Sequence, residues 1–305
     1  MADQSVIDAL IREEGLDWSY TAVVRGPLSR LAGEIAAARR ARNRPIVAGI
    51  CGPQGSGKST LCRFLAALLE ARGWAVATLS LDDLYLTREE REDLAKRVHP
   101  LLATRGVPGT HDITLGLDVI ASLTNAESED RTRLPRFDKA KDTRAPKRLA
   151  DDFEGRADIV LFEGWCVGAR AQDPGLLDEP VNELEEAEDP HGVWRRYVNE
   201  ELDGPYQDLF DTIDFQAILE APDFSCVLTW RTEQEHKLRE ATTAALGASA
   251  AALKVMTDEE VAWFIMHYER LTRHLLVEMP TRCHARLRLD ASRRIVDYVS
   301  QPKTR

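Results

Sequence analysis

Residues Gly52, Pro53, Gln54, Gly55, Ser56, Gly57, Lys58 and Ser59 run in the order G-x-x-x-x-G-K-[ST]. Glycine at these positions lets the backbone curl until successive N–H groups face one anion. The Lys58 ammonium then reaches the outer phosphates of a nucleotide, and the Ser59 hydroxyl is placed to bind Mg2+. With Thr60 beside it, the stretch is a candidate ATP site. Such a loop needs a strand in front and a helix behind, because the positive end of the helix completes the cradle. Residues 46–51 are an apolar run of strand type, and residues 61–69 carry apolar side chains at helical spacing.

Two further strand-like runs end in carboxylates. Asp82-Asp83-Leu84-Tyr85 follows the run 74–81, and Glu163-Gly164-Trp165 follows the run 158–162. A carboxylate closing a strand beside a phosphate loop commonly holds Mg2+ or its water, and Glu163 fits that role; the blander alternative is a surface glutamate. Transfer of a phosphoryl group to an alcohol also needs a carboxylate near the acceptor hydroxyl. Asp82 is the candidate base, with Lys58 as its catalytic partner on the phosphates. Asp83 is the neighbour that faces the acceptor or caps the next segment. The loop 105–112 holds two glycines, a proline and polar groups, which suits a binding loop as well as a plain connection. Lys139, Lys141, Arg144, Lys147 and Arg148 concentrate positive charge in one loop of a chain whose net charge is −11, which suits an anionic acceptor or the phosphates. Arg231, Lys237 and Arg239 share one helical stretch, and mobile helices often deliver such cations to a transferring phosphoryl group. The histidines show no metal-ligand spacing; His267 and His274 read as helix surface or packing.

Positioning these residues calls for strands alternating with helices. Further strands are expected at 215–219, 286–289 and 295–299, and helices at 2–44, 88–97, 112–123, 193–210, 230–243 and 258–278. Residues 125–132 read as exposed, 178–189 as an acidic solvated loop, 244–252 as an alanine-rich break, and Arg39, Arg40, Arg42 and Arg44 as a solvated helix end. The pattern predicts an α/β fold with a mostly parallel sheet, helices on both faces and ligands beyond the C-terminal strand ends. At 305 residues it reads as a single domain, 1–305, with a helical extension at 1–44 and lid and inserted helices at about 165–245. The acidic balance argues against nucleic-acid or membrane-surface binding. An odd count of five cysteines without a C-x-x-C pair favours free thiols. With no signal-like or membrane-length apolar segment, the expected location is cytoplasmic.

Together the phosphate loop, Leu79 to Thr87, Arg105 to Asp112, Phe137-Asp138-Lys139, Phe162 to Trp165, Trp230-Arg231, Glu235 to Arg239 and His267 to Thr272 resemble D-glycerate 3-kinase of the plant type and its bacterial and fungal relatives. The resemblance extends over about residues 46–290. Its wider superfamily includes uridine kinase, phosphoribulokinase and pantothenate kinase. It implies a Mg-ATP-dependent kinase with a flexible lid, acting on a small hydroxy acid. Asp82 matches the superfamily's base. Asp83, Tyr85, Arg105, His111, Lys139 and Arg144 become acceptor-side residues, and Arg231, Lys237 and Arg239 lid residues. One departure stands out. Where plant-type enzymes carry a glycine-rich stretch, this chain has Ala140-Lys141-Asp142-Thr143-Arg144. A nucleoside, a pantothenate-like acid or a sugar are alternative acceptors, and a nucleotide-hydrolysing regulatory protein is the alternative outside enzymes that modify a small molecule.

Overall fold

Apolar strands, glycine turns and amphipathic helices assemble in the alternating order expected. The computed structural model describes residues 4–146, 151–246 and 256–300. Lys147, Arg148 and positions 247–252 of the expected break lie outside them. In chain order, α1 (Gln4–Glu13), α2 (Tyr20–Val23) and α3 (Ser29–Arg42) precede β1 (Ile46–Cys51). The stretch expected to be helical, 2–44, is interrupted at Gly15, with φ +61°, and by a widened π turn at Val24–Leu28 that accommodates Pro27, which has no N–H to donate. Next come α4 (Lys58–Glu70), β2 (Val76–Ser80), a 3-10 turn at Leu81–Leu84, α5 (Arg88–Arg97) and α6 (Ile113–Asn125).

The region read as exposed and basic contains strands. β3 (Arg131–Arg133), β4 (Phe137–Asp138), β5 (Thr143–Arg144) and β6 (Asp152–Glu154) form two small antiparallel pairs, β3 with β6 and β4 with β5. β7 (Ile159–Gly164) follows. The acidic segment is also more than a solvated loop. It includes α7 (Glu183–Glu188), whose Glu185 is fully buried and takes 2.8 Å and 2.6 Å hydrogen bonds from Arg270. The helix expected over 193–210 divides at Gly204-Pro205 into α8 (Val193–Asp203) and α9 (Pro205–Phe210). β8 (Ile213–Glu220), α10 (Phe224–Leu246), α11 (Asp258–Glu278), β9 (Ala285–Leu289) and β10 (Ile295–Ser300) complete the chain. α10 therefore continues through 244–246.

Six strands form one sheet in the order β10-β9-β8-β1-β7-β2, parallel throughout except for the β9–β10 pair. Every residue of β1 and β7 is buried, as expected of central strands covered on both faces. The basic cluster before β1 is not simply solvated. Arg39 pairs with Asp158 at 2.8 Å, and Arg42 and Arg44 pair with Asp214 at 2.9 Å and 2.7 Å, tying the end of α3 to the sheet. Among the described residues no helix is long and apolar enough to cross a membrane.

Register decides what the sheet can do. Cys51 pairs with Gly164, and Glu163 pairs with Ser80. The C-terminal ends of β1, β7 and β2 therefore lie at one edge, with β7 in the middle. That edge carries the phosphate loop, Glu163 and Asp82 in adjacent positions.

Candidate active site

Gly55 and Gly57 have φ of +73° and +87°, the left-handed region that glycine enters without a steric penalty. Gly57 caps α4 without any side-chain hydrogen bond, so Lys58 and Ser59 open a helix whose first N–H groups remain free to meet an anion. Gly55 is needed for a second reason. A Cβ there would lie 2.7 Å from Cβ of Trp230, the fully buried residue with which α10 packs on the loop.

Ser59 Oγ donates to Glu163 Oε1 at 2.9 Å. Glu163 is 5% exposed, and its Oε2 and the Ser56 hydroxyl are buried with no protein partner. A hydroxyl and a carboxylate with an oxygen to spare, beside a phosphate cradle, form a hard-oxygen donor set of the kind Mg2+ takes when phosphates supply its remaining ligands. On this donor chemistry the residues fit Mg2+.

Asp82 sits on the 3-10 turn after β2. Its Oδ2 accepts from Lys139 Nζ at 2.6 Å and its Oδ1 from the Tyr85 hydroxyl at 3.1 Å. Burial pushes its carboxyl upward, but the ammonium groups of Lys139 and Lys58 outweigh burial and hold it down to about 2. Asp83 turns the other way. It accepts from the Phe137 N–H at 3.0 Å and pairs with Arg136 at 3.0 Å, anchoring the β4–β5 hairpin. Burial raises its carboxyl above the usual value.

A cavity of about 720 Å³ is lined by the phosphate loop and Asp82, while Glu163 and Asp83 lie outside its lining. Gln54, Gly55, Lys58 and Ser59 of the loop line it together with Asp82, Tyr85, Arg105 and Lys139. Arg231 reaches it from α10, held by Glu235 at 2.6 Å and lying 5.8 Å from the Phe264 ring. Other expected residues stand outside its lining. His111 lies behind Tyr85, stacked on that ring at 4.4 Å, with Nδ1 2.6 Å from the Tyr206 hydroxyl. Burial lowers its pKa to about 3, so the imidazole is neutral. Arg144 binds Asp112 at 2.7 Å and the Tyr85 carbonyl at 3.3 Å, bracing the start of α6. Lys237 is exposed on α10, and Arg239 donates to the Met256 carbonyl at 2.7 Å.

Sequence reasoning gave no site role to the aromatic wall of this cavity. Trp165 and Tyr268 meet edge to face at 4.9 Å. Trp165 Nε1 donates to the Gly106 carbonyl at 2.8 Å, and the Tyr268 hydroxyl donates to the Arg105 carbonyl at 3.2 Å. The two rings thus hold the loop that carries Arg105. Trp165 had a usable signal, since it comes two residues after Glu163 at a strand end. Tyr268 lies in the His267 to Thr272 stretch that carries the family resemblance, but nothing local ties it to the site, because it arrives from another helix.

No family model matches the chain. It is 35% identical over 238 residues to "Uncharacterized kinase mug58" of Schizosaccharomyces pombe, a match spanning 74% of this chain and 79% of that protein. It is 30% identical over 231 residues to the chloroplastic D-glycerate 3-kinase of Arabidopsis thaliana, spanning 73% of this chain but about half, 46%, of that longer protein. The solved D-glycerate 3-kinase of Cryptococcus neoformans superposes with a TM-score of 0.72 at 29% identity, covering 90% of this chain and 99% of that one. The chain belongs to this P-loop kinase family. It is an ATP-dependent phosphotransferase with the α/β architecture its sequence implies. In this kinase the register of β1, β7 and β2 brings the phosphate loop and Asp82 to one cavity, with Glu163 behind it on Ser59.

Proposed function

We propose that this kinase transfers the γ-phosphate of ATP to a hydroxyl of a small hydroxy acid, with D-glycerate as the preferred acceptor. The observation supporting this reading is the pairing of Asp82 with Lys139 in the cavity that also holds Lys58 and Ser59. A carboxylate to orient the alcohol and cations to receive an acid group line the same cavity as the phosphate loop. The loop N–H groups and Lys58 hold the triphosphate, and Ser59 and Glu163 hold Mg2+, which when bound neutralises charge on the phosphates. Arg231 faces the transferring group from α10. Asp82 orients the acceptor hydroxyl. A carboxyl held near 2 is a weak base, but a loose transition state sheds the hydroxyl proton late and asks chiefly for alignment. An acceptor carboxylate that draws Lys139 toward itself also removes the main cation depressing Asp82. Burial then strengthens the base as the acceptor arrives.

The test is ATP consumption by the purified protein across small hydroxy acids, nucleosides, pantothenate and sugars, with the phosphate located in the product by NMR. D-glycerate is expected to give the highest kcat/KM. A nucleoside or sugar exceeding every acid would overturn the acceptor assignment. ADP release at one rate with and without every acceptor would favour a nucleotide-hydrolysing regulator instead.

A further inference from the structure

The β4–β5 hairpin crosses the acceptor side of the cavity and carries an acidic residue that the proposed chemistry leaves unassigned. Asp142 stands at the end of the hairpin loop with φ +53°, a left-handed conformation that aspartate and asparagine tolerate better than most residues. Its carboxylate bridges two arginines, with Oδ2 on Arg91 Nη2 at 2.6 Å and Oδ1 on Arg105 Nη1 at 2.5 Å. Arg91 is 1% exposed and spends its other donors on the Leu86 and Ala103 carbonyls. Arg105 lines the cavity, lies 5.7 Å from the Phe137 ring and makes no other side-chain hydrogen bond among the described residues.

The charges in this group are ordered. A buried guanidinium is costly unless paired, and Asp142 supplies the pair for Arg91. The remaining positive charge belongs to Arg105, which lines the cavity and keeps N–H donors beyond the one on Asp142. Arg105 is fixed from two directions, by Asp142 on its side chain and by the Tyr268 hydroxyl on its carbonyl. A guanidinium held this way can present two parallel donors to a carboxylate. The hairpin that supplies Asp142 also supplies Lys139, so one short element sets both cations of the acceptor side.

We propose that Asp142 is a positioning residue for acceptor specificity, holding Arg105 so that Arg105 and Lys139 together grip the carboxylate of a small hydroxy acid. This rests on the reading that the acceptor is such an acid.

The experiment measures KM for D-glycerate, KM for ATP and kcat in Asp142→Asn, Arg105→Ala and the double variant. Asparagine keeps the shape and tolerates the backbone angle while removing the charge. The expected result for Asp142→Asn is a D-glycerate KM raised about tenfold or more, with kcat and the ATP KM within about twofold. The double variant should be no worse than Arg105→Ala alone, because both changes disable one grip. If Arg105→Ala raises the D-glycerate KM and Asp142→Asn does not, the Asp142 proposal fails and the acid reading stands. If Arg105→Ala leaves that KM unchanged, gripping of the acid by Arg105 is wrong and the proposal falls with it. Should Asp142→Asn fail to fold because Arg91 is left unpaired, Arg91→Met/Asp142→Asn removes the buried guanidinium together with its counter-ion and is read by the same KM split.

Discussion

Asp82 takes a hydrogen bond on each oxygen and lies within the field of Lys58 and Lys139. Its folded value of about 2 is below the ~3.9 of an unfolded aspartate. Its ionised form therefore stabilises the fold fully above pH ~4, and that contribution is lost as pH falls toward 2. The kcat/KM profile should accordingly show no acid limb from Asp82 between pH 5 and pH 8, checked by initial rates across that range; a limb near pH 6 that disappears in Asp82→Asn would show that Lys139 and Lys58 do not hold the carboxyl down. At the cation site, Glu163→Gln keeps an acceptor for Ser59 but removes the charge. The Mg2+ concentration for half-maximal rate should rise by about 10-fold to 100-fold, by titration of initial rates. At the phosphate loop, Lys58→Ala should lower kcat by about 10²-fold to 10³-fold or more with an unchanged circular dichroism spectrum.

At the scale of elements, Gly55 is the position where sequence, packing and chemistry meet most tightly. Gly55→Ala would force a Cβ into a positive φ and to within 2.7 Å of Trp230. It should destabilise the protein by about 1–3 kcal/mol or more in denaturant titration, and lower activity because loop and α10 must part. The loop, Asp82 and Glu163 were legible because each signal is local: a glycine pattern, or a charged residue closing an apolar run. Glu185 was not. It looks like one more carboxylate of an acidic loop, and its charge partner, Arg270, lies 85 residues away. Tyr85 and His111 were legible as neighbours of the site but not in orientation. Tyr85 turns its hydroxyl to Asp82, while His111 turns toward Tyr206 on α9. The strands at 131–133 and 152–154 are three residues each, too short for a period-2 pattern to mark them.

Across the whole molecule the extension before β1 is part of the core. Ile7, Ile11, Leu28, Leu31 and Ile35 are buried with the central strands. Glu14, just after α1, accepts from Thr60 Oγ1 at 2.6 Å beside the phosphate loop and also pairs with Arg63. At about 1.5–3 kcal/mol for each large aliphatic side chain, these contacts are comparable with the total stability of a domain. Deleting residues 1–44 should therefore leave no cooperative thermal transition; a truncated protein melting within a few degrees of the full chain would refute this. The central claim is that one cavity joins the phosphate loop to Asp82 so that ATP meets an alcohol there. Its most direct measurement is D-glycerate-stimulated ADP formation by the wild type and Asp82→Asn, with ATP affinity determined alongside. The expected result is strong stimulation in the wild type, a loss of about 10²-fold to 10⁴-fold in kcat for Asp82→Asn, and unchanged ATP affinity. Full turnover in purified Asp82→Asn would contradict the account.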